Sequence, residues 1–173
     1  LIPRFETEEL VANVLMMYDD VFDGGSVQVV DIGTGSGCLA LTLDKEEPNM
    51  TVSATDISFE ALEVAKENNK KLNANVEFLQ GDMLEPVKGR KFDIIVSNPP
   101  YIPDFEYVEG LVKDNEPSIA LFGGKDGLNF YRQIISGASE ILNDKFIIAF
   151  EHAYNKSKEL KKIIKKHFTD VEI

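Results

Sequence analysis

The feature that most constrains the fold is a short apolar segment that runs into a glycine-rich turn and then into an apolar helical pattern. Val27–Ile32 is rich in β-branched residues, which predicts a strand. The loop 33–37 follows directly, and Leu39, Ala40 and Leu43 then recur at helical spacing. Glycines let a backbone approach a ligand closely, and a helix start offers free N–H groups to an anionic group. Strand, glycine turn and helix in this order are typical of domains that bind a nucleotide-containing cofactor.

The same alternation of strand and helix patterns continues along the chain. Further strands are predicted at 51–55, 76–79, 92–97 and 145–150, with a sixth at 171–173. Strands that alternate with helices, joined by right-handed crossovers, form a parallel sheet. The sequence therefore predicts an α/β fold, a Rossmann-like doubly wound and mostly parallel sheet in a single domain.

Small polar residues predict where two of the helices begin. Thr7 precedes Glu8 and Glu9 and is predicted to cap a helix that buries one apolar face, after an extended segment at 1–6. Ser58 is predicted to cap a second helix. The long loop after Tyr101 is acidic and interspersed with aromatic residues, so it is expected either to wall a site or to lie in solvent.

Polar groups follow several strands at the point where each strand ends. Asp56 follows one strand, at a spacing from the glycine turn that suits hydrogen bonds from ribose hydroxyls. Asp82 follows the next strand, and Asn98 begins an Asn-Pro-Pro-Tyr stretch after the fourth. Neither proline can continue a ladder or a helix, so the strand must stop there. Because ligands of open α/β sheets bind at the carboxyl ends of the strands, these groups predict a site.

Composition narrows the classes of protein that fit. With 173 residues and 43% hydrophobic content, the chain is long enough to bury a core as one domain. A single cysteine, Cys38, excludes an internal disulfide and a multi-cysteine metal site, and we expect no metal. The net charge of −12 argues against non-specific binding to nucleic acid. No signal peptide or apolar run of membrane-spanning length is visible, so we expect a cytoplasmic protein.

Other α/β functions fit the motifs less well. A nicotinamide dehydrogenase would space its glycines as G-x-G-x-x-G, whereas this chain has G-x-G-x-G followed by Cys38. No Ser-His-Asp order and no phosphate-binding lysine after the glycines is present, which disfavours hydrolases and kinases. A non-catalytic binding module remains open, because a fold does not fix a function.

The motifs together resemble a known enzyme family. Asp31-Ile-Gly-Thr-Gly-Ser-Gly37, Asp56, Asp82 and Asn98-Pro-Pro-Tyr101, in this order and spacing, resemble class I S-adenosylmethionine-dependent methyltransferases that act on amino or amide nitrogen. The stretches 1–8 and 115–132 resemble the bacterial release-factor glutamine N5-methyltransferases. The resemblance covers essentially the whole chain. Phe5 departs from it, because the family usually has proline there.

The resemblance implies a reaction and a set of partners. A methyl group would pass from S-adenosyl-L-methionine, leaving S-adenosyl-L-homocysteine, to the side-chain amide of a glutamine in class I peptide chain release factors. It also implies that residues 1–173 are the catalytic domain, without the family's N-terminal helical domain and last strand. We expect a monomer with no membrane and no direct nucleic-acid partner. A ribosomal-protein glutamine methyltransferase and a nucleic-acid adenine N6-methyltransferase are the alternatives.

The resemblance also assigns roles to particular residues. Asp56 would hold the ribose of the cofactor, Asp82 with Met83 the adenine, and Asn98 would lie against both cofactor and substrate. The substrate amide would meet Asn98, Pro99, Pro100 and Tyr101. The methionine part of the cofactor would be held by Asp31, Gly33, Thr34, Gly35, Ser36 and Gly37.

Overall fold

A computed structural model of the chain describes residues 5–103 and 123–173. Helices and strands alternate along these residues, with short 3-10 helices at Glu85–Val87 and Tyr154–Lys156. The helices are α1 (Phe5–Phe22), α2 (Cys38–Glu46), α3 (Phe59–Leu72), α4 (Asn129–Ile141) and α5 (Ser157–His167). The strands are β1 (Val27–Ile32), β2 (Met50–Asp56), β3 (Glu77–Gln80), β4 (Phe92–Ser97) and β5 (Leu142–Phe150).

The five strands form one sheet in the order β3-β2-β1-β4-β5, and all four pairings are parallel. The first strand, β1, lies at the centre of the sheet, and β2 and β3 follow on one side of it. The chain then returns to the other side of β1 and continues through β4 to β5. The predicted doubly wound parallel sheet is therefore confirmed, and the direction of winding reverses between β1 and β4.

The chain divides into two compact units. One comprises Leu1–Asn98 and Ser139–Glu151, and the other comprises Pro99–Ala138 and His152–Ile173. In the first unit, α1 packs against α2 and β5, and strand residues buried on the sheet complete the core. The core includes Leu10, Val14, Tyr18, Val29, Leu39, Leu43, Val52, Ile94, Val96 and Ile147. In the second unit, Tyr131, Ile134, Ile135 and Ala138 are buried at helical spacing on α4.

Three predictions about local structure are wrong. Thr7 does not cap α1, because the helix already begins at Phe5 and the Thr7 hydroxyl donates instead to Glu151. The predicted extended segment is likewise helical at Phe5 and Glu6, and residues 1–4 lie outside the described residues. Val171–Ile173 is not a strand, since it joins no ladder of the described sheet. The acidic loop and the first part of the 115–132 stretch also lie outside the described residues.

Two other findings bear on the sequence-based predictions. The Ser58 cap is confirmed, because its side chain accepts a hydrogen bond from the Ala61 amide at 3.1 Å. No helix in residues 5–103 and 123–173 is both long enough and apolar enough to cross a membrane.

Candidate functional site

The reversal of winding places the candidate site at the carboxyl ends of β1 and β4. Parallel strands end at one edge, and a ligand of a doubly wound sheet binds where neighbouring crossovers leave in opposite directions. Asp31 and Gly33 lie at the end of β1, and Asn98 follows β4 directly. Asp56 ends β2, and Glu151 follows β5. All five groups belong to the first compact unit.

The glycine turn is shaped by three residues with positive φ. Gly33, Gly35 and Gly37 have φ of 72°, 58° and 87°, a region that side chains with a Cβ rarely adopt. The amides of Gly33 and Thr34 both donate to the Thr55 carbonyl at 2.9 Å, which ties the turn to the end of β2. Glycine at these three positions therefore lets the backbone turn sharply beside β1 without strain.

The turn leads into a helix start that has no side-chain cap. Gly37 is the N-cap of α2 and offers no capping oxygen, so the first N–H groups of α2 are not satisfied by a cap. A Cβ on Gly37 would lie 3.2 Å from Ala65 Cβ on α3, so the two helices pack closely there. Asn68 on α3 also donates to the Ser36 carbonyl at 3.1 Å. The turn is thus held by β2 and by α3, and the amides of the first turn of α2 that Asp31 does not engage are available to an anionic group.

Asp31 is a buried carboxylate beside this turn. It is fully buried, and its Oδ2 accepts a hydrogen bond from Thr34 Oγ1 at 2.6 Å. Among the described residues, Oδ1 has no hydrogen-bond partner of normal geometry. Burial raises the pKa of Asp31 to about 7, while the Thr34 hydroxyl and the Ala40 amide oppose the rise and the charge of Asp56 adds to it. A cationic group at Oδ1 would satisfy this oxygen and favour the ionised form.

Asp56 accepts one backbone hydrogen bond on each carboxylate oxygen. Gly35 N donates to Oδ2 at 2.8 Å and Ser58 N donates to Oδ1 at 2.9 Å. Because each oxygen has a second lone pair, the carboxylate keeps capacity for two hydroxyl donors. Asp56 therefore both fixes the glycine turn and offers acceptors, an arrangement that fits the expected ribose contact.

Asp82 and Met83 lie in the turn after β3. Met83 has a positive φ of 47°, and its carbonyl accepts from Thr55 Oγ1 at 3.1 Å. This hydrogen bond ties the turn to the end of β2, next to the glycine turn. The Asp82 side chain is exposed. The structure thus brings Thr55 and Asp56 between the two turns that were predicted to hold the cofactor.

Asn98 is held by a buried carboxylate. Its Nδ2 donates to Glu151 Oε2 at 2.8 Å, and Thr7 Oγ1 donates to the same oxygen at 3.0 Å. Ser97 Oγ donates to the Ile32 carbonyl at 2.6 Å and joins the ends of β4 and β1. The amide of Asn98 is therefore fixed at the point where the winding reverses.

The rest of the Asn-Pro-Pro-Tyr stretch belongs to the second compact unit. Pro99 is buried, while Pro100 and Tyr101 are half-buried. A Cβ on Gly127 would lie 2.2 Å from the Tyr101 carbonyl oxygen, and one on Gly123 would lie 2.5 Å from that of Pro100. The glycines at these two positions therefore allow the turn 123–127 to pack on the backbone that carries the prolines and the tyrosine.

Sequence reasoning missed three residues that shape the site, namely Glu151, Thr7 and Asn68. A usable signal existed for Glu151, because it directly follows a predicted strand, as Asp56 does. Thr7 and Asn68 gave no such signal, since their partners lie far away in sequence. Within the part of the chain that the structure covers, no three His, Cys, Asp or Glu side chains cluster in a way that could hold a metal ion.

Comparison with solved structures supports the same architecture. A methyltransferase from Pyrococcus furiosus is 24% identical with a TM-score of 0.63, covering 90% of this chain and 68% of that one. A ribosomal protein L11 methylase from Lactobacillus delbrueckii subsp. bulgaricus is 22% identical with a TM-score of 0.66, covering 95% and 69% respectively. At these identities the likeness shows the fold.

Comparison with curated sequences gives closer relatives. The chain is 47% identical over 178 residues to the release factor glutamine methyltransferase of Bacillus subtilis and 44% identical over 177 residues to that of Bacillus cereus. Both alignments cover 100% of this chain and 62% of the relative, so the chain spans less than two thirds of the relatives' length. The profile of the methyltransferase small domain family matches residues 10–114, more than half of the chain. The chain therefore belongs to the methyltransferase small domain family.

Proposed function

We propose that the chain is the catalytic domain of a protein-(glutamine-N5) methyltransferase. It transfers a methyl group from S-adenosyl-L-methionine to the side-chain amide of a glutamine in class I peptide chain release factors, in the cytoplasm. The names of the relatives at 40–47% identity support the substrate. The orientation of Asn98 is the structural observation that carries the proposal.

The residues at the ends of β1 and β2 fit the cofactor. Oδ1 of Asp31, which has no hydrogen-bond partner among residues 5–103 and 123–173, suits the cationic amino group of the cofactor's methionine part, and the start of α2, which has no side-chain cap, suits the carboxylate. Asp56 would accept the ribose hydroxyls, and the turn that holds Asp82 and Met83 would receive the adenine. When bound, the cofactor supplies an electrophilic methyl group on a positively charged sulfur.

Asn98 suits a primary amide as the other reactant. Its Nδ2 is committed to Glu151, so its Oδ1 is the part of the side chain left to face a ligand as an acceptor. A carboxamide nitrogen carries two N–H donors and is a poor nucleophile, because its lone pair is delocalised into the carbonyl. Asn98 Oδ1 and the Pro99 carbonyl would accept those two hydrogen bonds.

Two acceptors at the substrate nitrogen help in two ways. They hold the amide nitrogen in line with the methyl group that it attacks, so less entropy is lost on reaching the transition state. They also favour the positive charge that builds on nitrogen as the new bond forms. The Tyr101 ring would wall the pocket and stabilise a cation at its face. The proton leaves after the methyl group has arrived, so no strong general base is needed.

Mass spectrometry of a methylated substrate tests the proposal. A class I release factor incubated with the protein and S-adenosyl-L-methionine should gain the mass of one methyl group, located on one glutamine side chain. The matched control is the same release factor with that glutamine changed to glutamate, which should gain nothing. Methylation elsewhere, or of a ribosomal protein or nucleic acid instead, would contradict the assigned substrate.

Calorimetry tests the cofactor separately. S-adenosyl-L-homocysteine should bind at one site per chain, whereas NAD should give no heat. Binding of NAD alone would contradict the methyltransferase assignment. Sedimentation of the same sample tests the expectation of a monomer.

A further inference from the structure

The strongest unassigned feature is the buried carboxylate of Glu151. Glu151 is only 8% exposed, although it lies at the carboxyl ends of the strands, where the site is built. Its backbone amide donates to the Ser97 carbonyl at 3.1 Å, which extends the pairing of β5 with β4 by one residue. Glu151 and Asn98 are therefore neighbours at the same level of two adjacent strands.

The hydrogen bonds to Glu151 decide which way the Asn98 amide faces. The oxygen and nitrogen of an asparagine amide have nearly the same shape, so packing alone does not distinguish the two orientations. An ionised carboxylate accepts hydrogen bonds and donates none. When Glu151 is ionised, only Nδ2 can therefore face its Oε2, and the structure has Nδ2 there, at 2.8 Å. The reversed amide would set two acceptor oxygens against each other.

Thr7 holds the carboxylate itself in place. Its hydroxyl donates to the same Oε2 at 3.0 Å, from a helix that lies 144 residues earlier in sequence. Thr7 is also buried, so this contact is shielded from water. The oxygen that faces Asn98 is thus fixed by a donor from α1 as well as by Asn98.

We infer that Glu151 is a positioning residue that sets the orientation of the Asn98 amide, so that the site presents an acceptor oxygen and selects a substrate carrying N–H donors. The inference rests on the proposed function, in which Asn98 Oδ1 receives an N–H of the glutamine amide. Glu151 acts through Asn98 and need not touch either reactant. Its role is to exclude the reversed amide, in which the NH₂ group of Asn98 would face the N–H groups of the substrate.

Glu151→Gln is the sharpest single change, because it keeps the shape of the side chain and adds a donor. A glutamine at this position can face Asn98 with either end, so the amide of Asn98 is free to reverse. We expect single-turnover methyl transfer in the whole protein to fall by about tenfold or more, with little change in cofactor affinity or melting temperature. Glu77→Gln is the matched control, since Glu77 also accepts a hydroxyl, from Ser53, but at the opposite end of β3 from the site.

A paired exchange tests the same contact in the other direction. Asn98→Asp alone places two carboxylates against each other and should transfer slowly. In the double variant Asn98→Asp/Glu151→Gln, the new side-chain NH₂ group at position 151 can donate to one carboxylate oxygen at position 98. The other oxygen at position 98 remains as the acceptor for the substrate. We expect it to transfer about tenfold faster than Asn98→Asp alone. A double variant no faster than Asn98→Asp would overturn the inference, because a merely structural Glu151 predicts no recovery.

Nuclear magnetic resonance separates this inference from the proposed function. The side-chain NH₂ signals of Asn98, identified by their loss in Asn98→Ala, should be shifted and protected in the parent and should change in Glu151→Gln. Thr7→Val keeps the carboxylate but removes its second donor, so the Asn98 signals should change less than they do in Glu151→Gln. Unchanged Asn98 signals in Glu151→Gln would overturn the inference, whatever the activity. A parent that keeps the shifted signals but methylates no glutamine would contradict the proposed function and support the orientation.

Discussion

At the carboxyl ends of β1 and β2 the backbone forms most of the site, whereas at the ends of β4 and β5 side chains form it. The first region depends on three positive-φ glycines, an uncapped helix start and amides tied to the Thr55 carbonyl. The second depends on the Asn98 amide, which donates to Glu151, and on Thr7, which donates to the same oxygen of Glu151. We call these the cofactor region and the acceptor region.

Under the proposed function, the difference between the two regions follows from what each would recognise. The cofactor is the same molecule in every turnover, so a fixed arrangement of backbone amides and glycines can bind it. Selecting one nitrogen among many on a protein requires a side chain whose acceptor faces a fixed direction. Changes in the cofactor region should therefore alter cofactor binding, and changes in the acceptor region should alter transfer.

The largest expected effect is that of Asn98→Ala. Loss of the acceptor oxygen should cut methyl transfer by about 10²-fold or more, in the range seen when one oriented polar contact to a transition state is removed. Most of the cofactor affinity should remain. Rapid-quench transfer assays beside calorimetry on one preparation measure both quantities. A fall in activity that only follows a lowered melting temperature would mean that Asn98 merely shapes a turn.

Asp56→Ala should come next, with its effect on cofactor binding. The variant loses the acceptor for ribose hydroxyls and also the partner of the Gly35 and Ser58 amides. We expect binding to weaken by about 1–3 kcal/mol, the cost of losing hydrogen bonds in a partly buried site. Asp56→Asn keeps one acceptor oxygen and should weaken binding less. Equal affinities for the parent and both variants, by titration calorimetry, would remove Asp56 from the site.

A separate effect, on folding rather than on the reaction, is expected in the pH dependence of stability, through Asp31. Its pKa is about 7 in the folded chain and 3.8 ordinarily, so the folded state holds a proton that the unfolded state releases between these values. The stability contributed by this group is therefore complete below pH 3.8 and is lost as pH rises through about 7. Asp31→Asn should gain stability relative to the parent across this window, by up to about 1.4 kcal/mol per pH unit.

Chemical unfolding at several pH values checks this sign. The difference in unfolding free energy between Asp31→Asn and the parent should grow from pH 4 toward pH 7 and then level off. Glu77→Gln serves as the comparison, because its carboxylate is held by Arg90, which lowers its pKa. A difference that shrinks with rising pH would contradict the buried, raised-pKa state of Asp31.

The smallest effect is expected for Tyr101→Phe. If the ring face and volume of Tyr101 wall the pocket, removal of the hydroxyl alone should slow transfer by less than about tenfold. Tyr101→Ala should slow it more, because the wall is lost. Steady-state assays that separate kcat from KM compare the two variants. A greater loss for Tyr101→Phe than for Tyr101→Ala would assign the function to the hydroxyl instead.

The cofactor region could be predicted from the sequence, because its determinants are local. A strand, glycines at fixed spacing and a helix lie within a few residues of each other, and the structure brings Asp31, Asp56 and the glycine turn to one sheet edge. The Ser58 cap could be predicted for the same reason, since it contacts an amide three residues ahead.

The acceptor region could be predicted only in part. The Asn98 stretch was visible as a strand that stops at two prolines, but the carboxylate that orients the amide lies 53 residues further on. Thr7 shows the same limit. Its hydroxyl fits a helix cap by local rules, yet the pairing with Glu151 prevails, because that carboxylate is buried and needs a donor. Long-range polar contacts of this kind leave no periodic pattern.

The most direct test of the two-region account measures cofactor affinity and single-turnover transfer for Asp56→Ala and Asn98→Ala side by side, in the whole protein with a release factor as substrate. The account predicts a crossed result. Asp56→Ala should weaken cofactor binding and recover transfer at saturating cofactor, whereas Asn98→Ala should bind the cofactor nearly as the parent does and fail to transfer. Proportional losses of both quantities in both variants would contradict it.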